Sequence, residues 1–263
     1  MEKITVAKTA GFCFGVDRAV KLVYAELEKG GRVATLGPII HNADVVNDMI
    51  AKGARIVSSV EELEPGERVV IRSHGELKSV LDHLERQGVT CVNATCPNVI
   101  RIQRLVAQAE AEGRQPVIIG EPSHPEVVGV ASWCSHPLVF DGPEAVQRWL
   151  AEDPHRREIP LTVVAQTTCI RELFETSCEI VKKECTNAKI FDTICDATQK
   201  RQTEAAEIAG KVDVMVVVGD RKSANTRHLT EICSKRCSRV FQVEDADELP
   251  AGWARGCRAA GLT

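Results

Sequence analysis

Residues 9–20 read TAGFCFGVDRAV, an extended run that meets Cys13 and then turns into a helical pattern, with Val16, Val20, Val23 and Leu27 recurring at helical spacing. Two other stretches begin in the same way. NATCPNVIRI (93–102) sets Cys96 ahead of Val99, Ile102, Val106 and Ala109, and TICDATQKRQ (193–202) sets Cys195 ahead of a shorter apolar face of Ala205, Ile208 and Ala209. Twenty-four residues after each cysteine a glycine closes a strand-like run: Gly37 in ATLG, Gly120 in VIIG and Gly219 in VVVG. Four residues further on stand His41, His124 and Ser223. A last strand-like run in each copy ends in small or polar residues, in IRSHGE, AQTTC and AAGLT.

These matches read as three copies of one α/β unit. The runs VATLGPII, ERVVIRS, PVIIG, LTVVAQ and VDVMVVVG are short, β-branched and bounded by Gly, Pro or polar residues, and longer helical patterns alternate with them. That rhythm predicts parallel sheets with crossover helices. The expected units are residues 14–96, 97–193 and 194–263, the last incomplete and completed by an N-terminal strand in 1–13. A pseudo-threefold arrangement would bring equivalent strand ends to one centre, where α/β sheets bind ligands, and Cys13, Cys96 and Cys195 would meet there.

Composition narrows the class. The chain has 263 residues and a net charge of −4, so it offers no general attraction to nucleic acid or anionic lipid. Residues 1–20 carry charges and lack a signal-peptide pattern, and no apolar run is long enough to span a bilayer, so a cytoplasmic protein is expected. Eleven cysteines in a reducing compartment point to metal binding, catalysis or burial, and no Cys-x-x-Cys pair is present. Cys91, Cys134, Cys169, Cys178, Cys185, Cys233, Cys237 and Cys257 have no mates in the repeat and are read as structural. His83, His136, His155 and His228 are given no role. The acidic stretches VEELEPGE (60–67) and VEDADELP (243–250) are expected to be solvated surface.

Three equivalent thiolates without a fourth suit an iron–sulfur group. A four-iron four-sulfur cube held by three cysteines keeps one iron open to substrate, where it can act as a Lewis acid. Around it the repeat places His41, His74 and His124 with Ser223 and Asn225, donors suited to a phosphate-like anion. Glu126, two residues after His124, is a candidate proton donor, since a neighbouring anion favours its protonated form. Thr167 and Thr168 offer hydroxyls to orient a substrate oxygen or relay a proton.

GFCFGVDRAV, RSHG, ATCPNV, GEPSHPEVVG, QTT, ICDATQKRQ and GDRKSANTRHL, in this order and spacing, closely resemble the 4-hydroxy-3-methylbut-2-enyl diphosphate reductases, the LytB family, over the whole chain. The resemblance implies three α/β domains around a four-iron four-sulfur cluster with Cys13, Cys96 and Cys195 as ligands. It implies diphosphate contacts at His41, His74, His124, Ser223 and Asn225, an essential acid at Glu126 and an active-site threonine at Thr167. The implied reaction is reductive dehydroxylation of an allylic diphosphate alcohol to isopentenyl and dimethylallyl diphosphate, with a small ferredoxin or flavodoxin as electron donor.

Two departures accompany the likeness. Ala224 in KSANT stands where the family usually has a second serine, removing one hydrogen bond to phosphate. The family also continues past a sequence like AAGLT into a serine-bearing loop and a closing helix, so an incomplete third copy, with a diphosphate pocket open on one side, is expected. Rival readings are a three-cysteine cluster enzyme of the quinolinate synthase type, which would handle a dicarboxylate, and a cluster-based redox sensor without turnover.

Overall fold

The computed structural model describes residues 2–263, which form three separate four-stranded sheets, every strand parallel to its neighbours. The chain opens with β1 (Lys3–Val6). There follow α1 (Phe14–Glu28), β2 (Val33–Leu36), α2 (Ala43–Ala51), β3 (Ala54–Val57), β4 (Arg68–Ile71), α3 (Lys78–Arg86) and β5 (Cys91–Asn93), which build a sheet of order β3-β2-β4-β5. Next come α4 (Pro97–Ala111), β6 (Gln115–Ile119), α5 (Pro125–Ala131), β7 (Leu138–Phe140), α6 (Pro143–Glu152), β8 (Leu161–Ala165), α7 (Arg171–Glu184) and β9 (Ala188–Ile190), with sheet order β7-β6-β8-β9. The last elements are α8 (Asp196–Ala209), β10 (Val214–Val218), α9 (Ala224–Ser234), β11 (Val240–Val243) and β12 (Ala259–Leu262); with β1 they form the sheet β1-β12-β10-β11.

These elements fall into two compact units. The larger comprises residues 13–167 and 171–193 and holds the first two sheets; the smaller comprises residues 1–12, 168–170 and 194–263 and holds the third. No helix among the described residues is long and apolar enough to cross a membrane.

The repeat is visible in the backbone hydrogen bonds. The glycine after each sheet's second strand donates to the end of the neighbouring strand: Gly37 to Val57 O at 2.8 Å, Gly120 to Phe140 O at 2.9 Å and Gly219 to Val243 O at 2.8 Å. On the other side Ser73, Gln166 and Thr263 donate to Ile39, Ile119 and Val216. The equivalent glycines therefore end equivalent strands, while the bonds on the other side fall at different offsets in each copy.

Apolar stripes fix the helices against the sheets. Ala19 and Val23 of α1 are buried with Val33, Met49 and Val70, and Val16, Val20 and Leu27 pack alongside. Val99, Ile102 and Val106 of α4 are buried with Ile118 and Val164. Helix α8 buries Ala205, Ile208 and Ala209 against Met215 and Val217. Its apolar face is short because polar side chains hold the rest. Gln202 Nε2 donates to Cys169 O at 3.0 Å, Arg201 reaches Thr9 O and Gly11 O, and Glu204 accepts from Lys8 N–H, Thr9 N–H and the Thr9 hydroxyl.

One expectation is corrected. Within VEELEPGE, Glu67 is buried, its side chain paired with Arg55 Nη1 at 3.0 Å and accepting from Glu64 N–H at 2.8 Å. It stands one residue before β4 and turns inward, where the guanidinium and the amide offset its desolvation.

A Cβ on Gly261 in β12 would stand closer than 3.0 Å to Ile208 Cγ2 and to Met215 Sδ. Gly261→Ala is expected to overpack this contact and destabilise the fold by about 1–3 kcal/mol. A lower urea midpoint at unchanged slope checks this; an unchanged midpoint contradicts it.

Candidate active site

Each of the three repeat cysteines sits at the N-cap of a helix: Cys13 before α1, Cys96 before α4 with Pro97 in the first turn, and Cys195 before α8. Their extended backbone conformations end the preceding run. Cys195 Sγ accepts from Thr198 N–H at 3.4 Å and lies 3.1 Å from the Thr198 hydroxyl.

In the larger unit, Cys13 and Cys96 converge on Gly15. A Cβ on that glycine would stand 2.7 Å from Cys96 Sγ and 4.0 Å from Cys13 Sγ, so the absent side chain leaves the space that the two sulfurs share. Among the described residues no group of three or more His, Cys, Asp or Glu side chains is gathered to hold a metal ion. Two converging sulfurs over a missing Cβ, with helix N-termini behind them, fit a soft iron–sulfur group at Cys13 and Cys96. Cys195 holds the same N-cap position within the smaller unit and, unlike the other two, also caps its helix with its sulfur.

The other thiols differ. Cys169, Cys178, Cys185, Cys233, Cys237 and Cys257 are buried, while Cys91 is exposed. Burial pushes Cys178 up to about 11, and burial with nearby Glu110 and Cys237, respectively, does the same for Cys134 and Cys233. All three stay protonated at neutral pH, poor ligands for a metal.

The larger unit also brings three histidines into a row. The rings of His41 and His74 lie 4.9 Å apart between centroids, and those of His74 and His124 lie 5.6 Å apart, edge to face. Strand ends put them there: His41 precedes the α2 cap Asn42, His74 lies in the turn after β4, and His124 caps α5. His124 Nδ1 accepts from Glu126 N–H at 3.1 Å, so its neutral ring carries the proton on Nε2. Burial, then the nearby His41, His124 and Arg72, pushes His74 down to about 3. It is therefore neutral at pH 7 until a negative charge arrives.

Glu126 is 2% exposed, in the first turn of α5. Its Oε1 accepts from Thr167 N–H at 2.6 Å, and its Oε2 lies 2.6 Å from the Thr167 hydroxyl. Burial raises its pKa, and the two Thr167 bonds oppose that shift. No Lys or Arg pairs with it among the described residues. The result is a carboxyl group biased towards its acid form, touching a hydroxyl that can pass a proton on.

The structure thus gathers His41, His74, His124, Glu126 and Thr167 within the larger unit. Ser223 caps α9 in the smaller unit, its oxygen accepting from Thr226 N–H at 3.4 Å, and Asn225 follows in the first turn. Thr168 also belongs to the smaller unit, where its carbonyl meets His228 Nδ1 at 2.6 Å. Two residues escaped the sequence reading. Gly15 matters through a contact with Cys96 that no local pattern announces. Gln166 is 1% exposed and accepts from Glu121 N–H at 3.0 Å, tying the end of β8 to the loop that leads into His124; its place beside Thr167 was the only signal.

Gly15→Ala is expected to displace Cys96 Sγ and lower bound iron after anaerobic reconstitution, with far-UV circular dichroism unchanged; full iron loading contradicts the shared space. Because an anion favours the imidazolium form of His74, binding of inorganic pyrophosphate at pH 6 should take up protons, and affinity should rise as pH falls. Calorimetry in buffers of different ionisation enthalpy checks this, and binding without proton uptake contradicts it.

The LytB protein family matches residues 4–263. Curated 4-hydroxy-3-methylbut-2-enyl diphosphate reductases are similar along nearly all of the chain. That of Thermoanaerobacter sp. (strain X514) is 40% identical over 266 residues, 99% of this chain and 90% of its own length. That of Oleidesulfovibrio alaskensis is 42% identical over 260 residues, 98% of this chain and 91% of its own length. A solved (E)-4-hydroxy-3-methyl-but-2-enyl diphosphate reductase, the terminal enzyme of the non-mevalonate pathway, is 36% identical with a TM-score of 0.69, covering 100% of this chain and 93% of its own. The reductase from Plasmodium falciparum, 22% identical, shares the fold with a TM-score of 0.92 over 100% of this chain and 82% of its own. On these matches, the chain belongs to the LytB family.

Proposed function

We propose that the chain catalyses reductive dehydroxylation of (E)-4-hydroxy-3-methylbut-2-enyl diphosphate to isopentenyl diphosphate and dimethylallyl diphosphate, the last step of the methylerythritol phosphate route. The allylic C–O bond breaks, two electrons and two protons are consumed, and water leaves. The observation that carries this reading is the buried Glu126–Thr167 pair beside a row of three imidazoles, in a chain of the LytB family.

Family membership implies an iron–sulfur cofactor. In our reading it is one four-iron four-sulfur cluster with Cys13, Cys96 and Cys195 as its protein ligands. When bound, it supplies the electrons and a Lewis-acidic iron. The convergence of Cys13 and Cys96 on Gly15 and the shared capping position of all three cysteines support that ligand set. The three ligands stand at or next to the boundaries between copies, taken as 14–96, 97–193 and 194–263 plus 1–13.

His41, His74 and His124 bind the diphosphate. The bond from Glu126 N–H to Nδ1 leaves the proton of the neutral His124 ring on Nε2. Ser223 and Asn225 complete the anion contacts; the Ser223 oxygen already accepts from Thr226 N–H, which leaves its own proton to donate. Anion binding in turn draws His74 towards its cationic form, adding charge-assisted strength where the diphosphate sits.

Glu126 holds the proton. With Oε1 occupied by Thr167 N–H, the acid proton belongs on Oε2, facing Thr167 Oγ1. Passing it to Oγ1 while Oγ1 releases its own proton to the departing hydroxyl protonates the leaving group without moving a heavy atom far. The electron donor is a small ferredoxin or flavodoxin, and the setting is the cytoplasm.

Anaerobic oxidation of reduced methyl viologen by the reconstituted protein on adding the allylic diphosphate, with products identified by mass spectrometry, tests the function. Glu126→Gln should lower kcat about a hundredfold or more while keeping iron and substrate affinity. In the wild type, kcat should fall as pH rises through the raised Glu126 pKa, because the acid form is the donor. Cys195→Ala should lose iron where Cys134→Ala does not. Full activity in Glu126→Gln, or equal iron in both cysteine variants, contradicts the assignment.

A further inference from the structure

The turn that carries His74 is closed by an ion pair that the reaction does not use. After β4 the chain runs Arg72-Ser73-His74-Gly75-Glu76, and Gly75 N–H donates to Arg72 O at 3.0 Å across a turn with His74 inside it. The Arg72 side chain folds over the same turn. Its Nε donates to Gly75 O at 3.3 Å and its Nη2 to Glu76 Oε2 at 3.1 Å, while Glu76 Oε1 accepts from Leu77 N–H at 3.0 Å. His74 is thus bracketed on both sides by one guanidinium–carboxylate pair.

The turn has little freedom elsewhere. Ser73 Oγ donates to Ile39 O at 3.3 Å, two residues before His41, and Ser73 O accepts from Cys96 N–H at 2.9 Å. Arg72 Nη1 lies 3.2 Å from where a Cβ on Gly37 would be, so the same side chain abuts the strand end that leads to His41. Helix α5, which carries Glu126, packs Gly129 against the Glu76 backbone, 3.5 Å from its carbonyl oxygen to the position of a Cβ. Glu76 is 9% exposed. A largely buried ion pair such as this, its Arg72 partly exposed, gives little net stability over apolar residues of the same size, so its value here lies in fixing one geometry.

We propose that Arg72 and Glu76 are positioning residues for diphosphate binding: their ion pair closes the turn around His74 and sets its imidazole in line with His41 and His124. This rests on the reading of the histidine row as the diphosphate site. Neither residue touches the substrate. They act through the place of one ring, and Arg72 also joins the two loops that carry His41 and His74.

The test is calorimetric binding of inorganic pyrophosphate to the reconstituted wild type, Arg72→Met, Glu76→Gln and the double variant, with KM and kcat measured in parallel. Each single variant should weaken pyrophosphate binding about tenfold, and the double variant no further, because either change opens the same clamp. KM should rise while kcat at saturation and bound iron are retained. Glu76→Gln is isosteric and keeps the acceptor for Leu77 N–H, so it reports on the clamp even if Arg72→Met does not fold. Gly75→Ala perturbs the turn from the other side, since Gly75 has φ +84° and its Cβ would stand 3.0 Å from Gln103 Nε2; it should weaken binding likewise. Unchanged pyrophosphate affinity in Glu76→Gln, with only a lower melting temperature, overturns the proposal. A wild type that binds no pyrophosphate would instead remove the anion-site reading on which it rests.

Discussion

A carboxyl group held in a buried site, without a cation, is the constraint on which the proposed chemistry depends. Glu126 meets a backbone N–H and a hydroxyl from Thr167, and no Lys or Arg among the described residues compensates its charge. An ordinary surface carboxylate would be ionised at neutral pH and of no use as an acid. Burial works against that preference and raises the Glu126 pKa, opposed by the two Thr167 bonds. The cost is accepted within a structure whose other buried carboxylates, such as Glu67 with Arg55 and Glu76 with Arg72, are paired with guanidinium groups. The contrast sets the carboxyl of the proposed proton donor apart from carboxylates neutralised by a guanidinium.

That placement follows from the parallel sheets. Gly120 ends β6 and Gln166 extends β8, so the loop into α5 and the residue after β8 meet at the same strand ends. His124 and Glu126 come from the first of these, Thr167 from the second. The same construction after β2 and β4 delivers His41 and His74, joined by Ser73 to Ile39. Backbone hydrogen bonds that exist in any parallel sheet therefore position the polar groups, and side-chain bonds only refine them. The third sheet repeats the strand-end geometry at Gly219 and Thr263 and presents Ser223 at the cap of α9.

Much of this was legible in the sequence because it is periodic. The cysteines stand where extended runs become helices, the glycines stand at one fixed distance, and the apolar stripe of α4 is buried residue by residue; that of α1 is buried at Val23 and half-buried at Val16, Val20 and Leu27, with Ala19 at the centre of the buried face. Local rules govern these features, and a repeat displays each rule three times. What was not legible depends on contacts between distant residues. Gly15 is an unremarkable helical glycine until Cys96 is placed against it, and Glu67 belongs to an acidic run until Arg55 is seen beside it. The short apolar face of α8 became intelligible only with its polar partners, Gln202 with Cys169 and Glu204 with Thr9. Likewise, the composition of RSHGE says nothing of a guanidinium folded back over a histidine.

The most direct measurement is the protonation state of Glu126 itself. An infrared difference spectrum between wild type and Glu126→Gln at pH 7, in water and in deuterium oxide, reads that state without depending on turnover. We expect a carboxylic-acid C=O stretch that shifts on deuteration and is missing from the variant. Carboxylate bands alone in the wild type would mean that Glu126 is ionised in the resting protein, and the account of a buried, preloaded proton donor would be wrong.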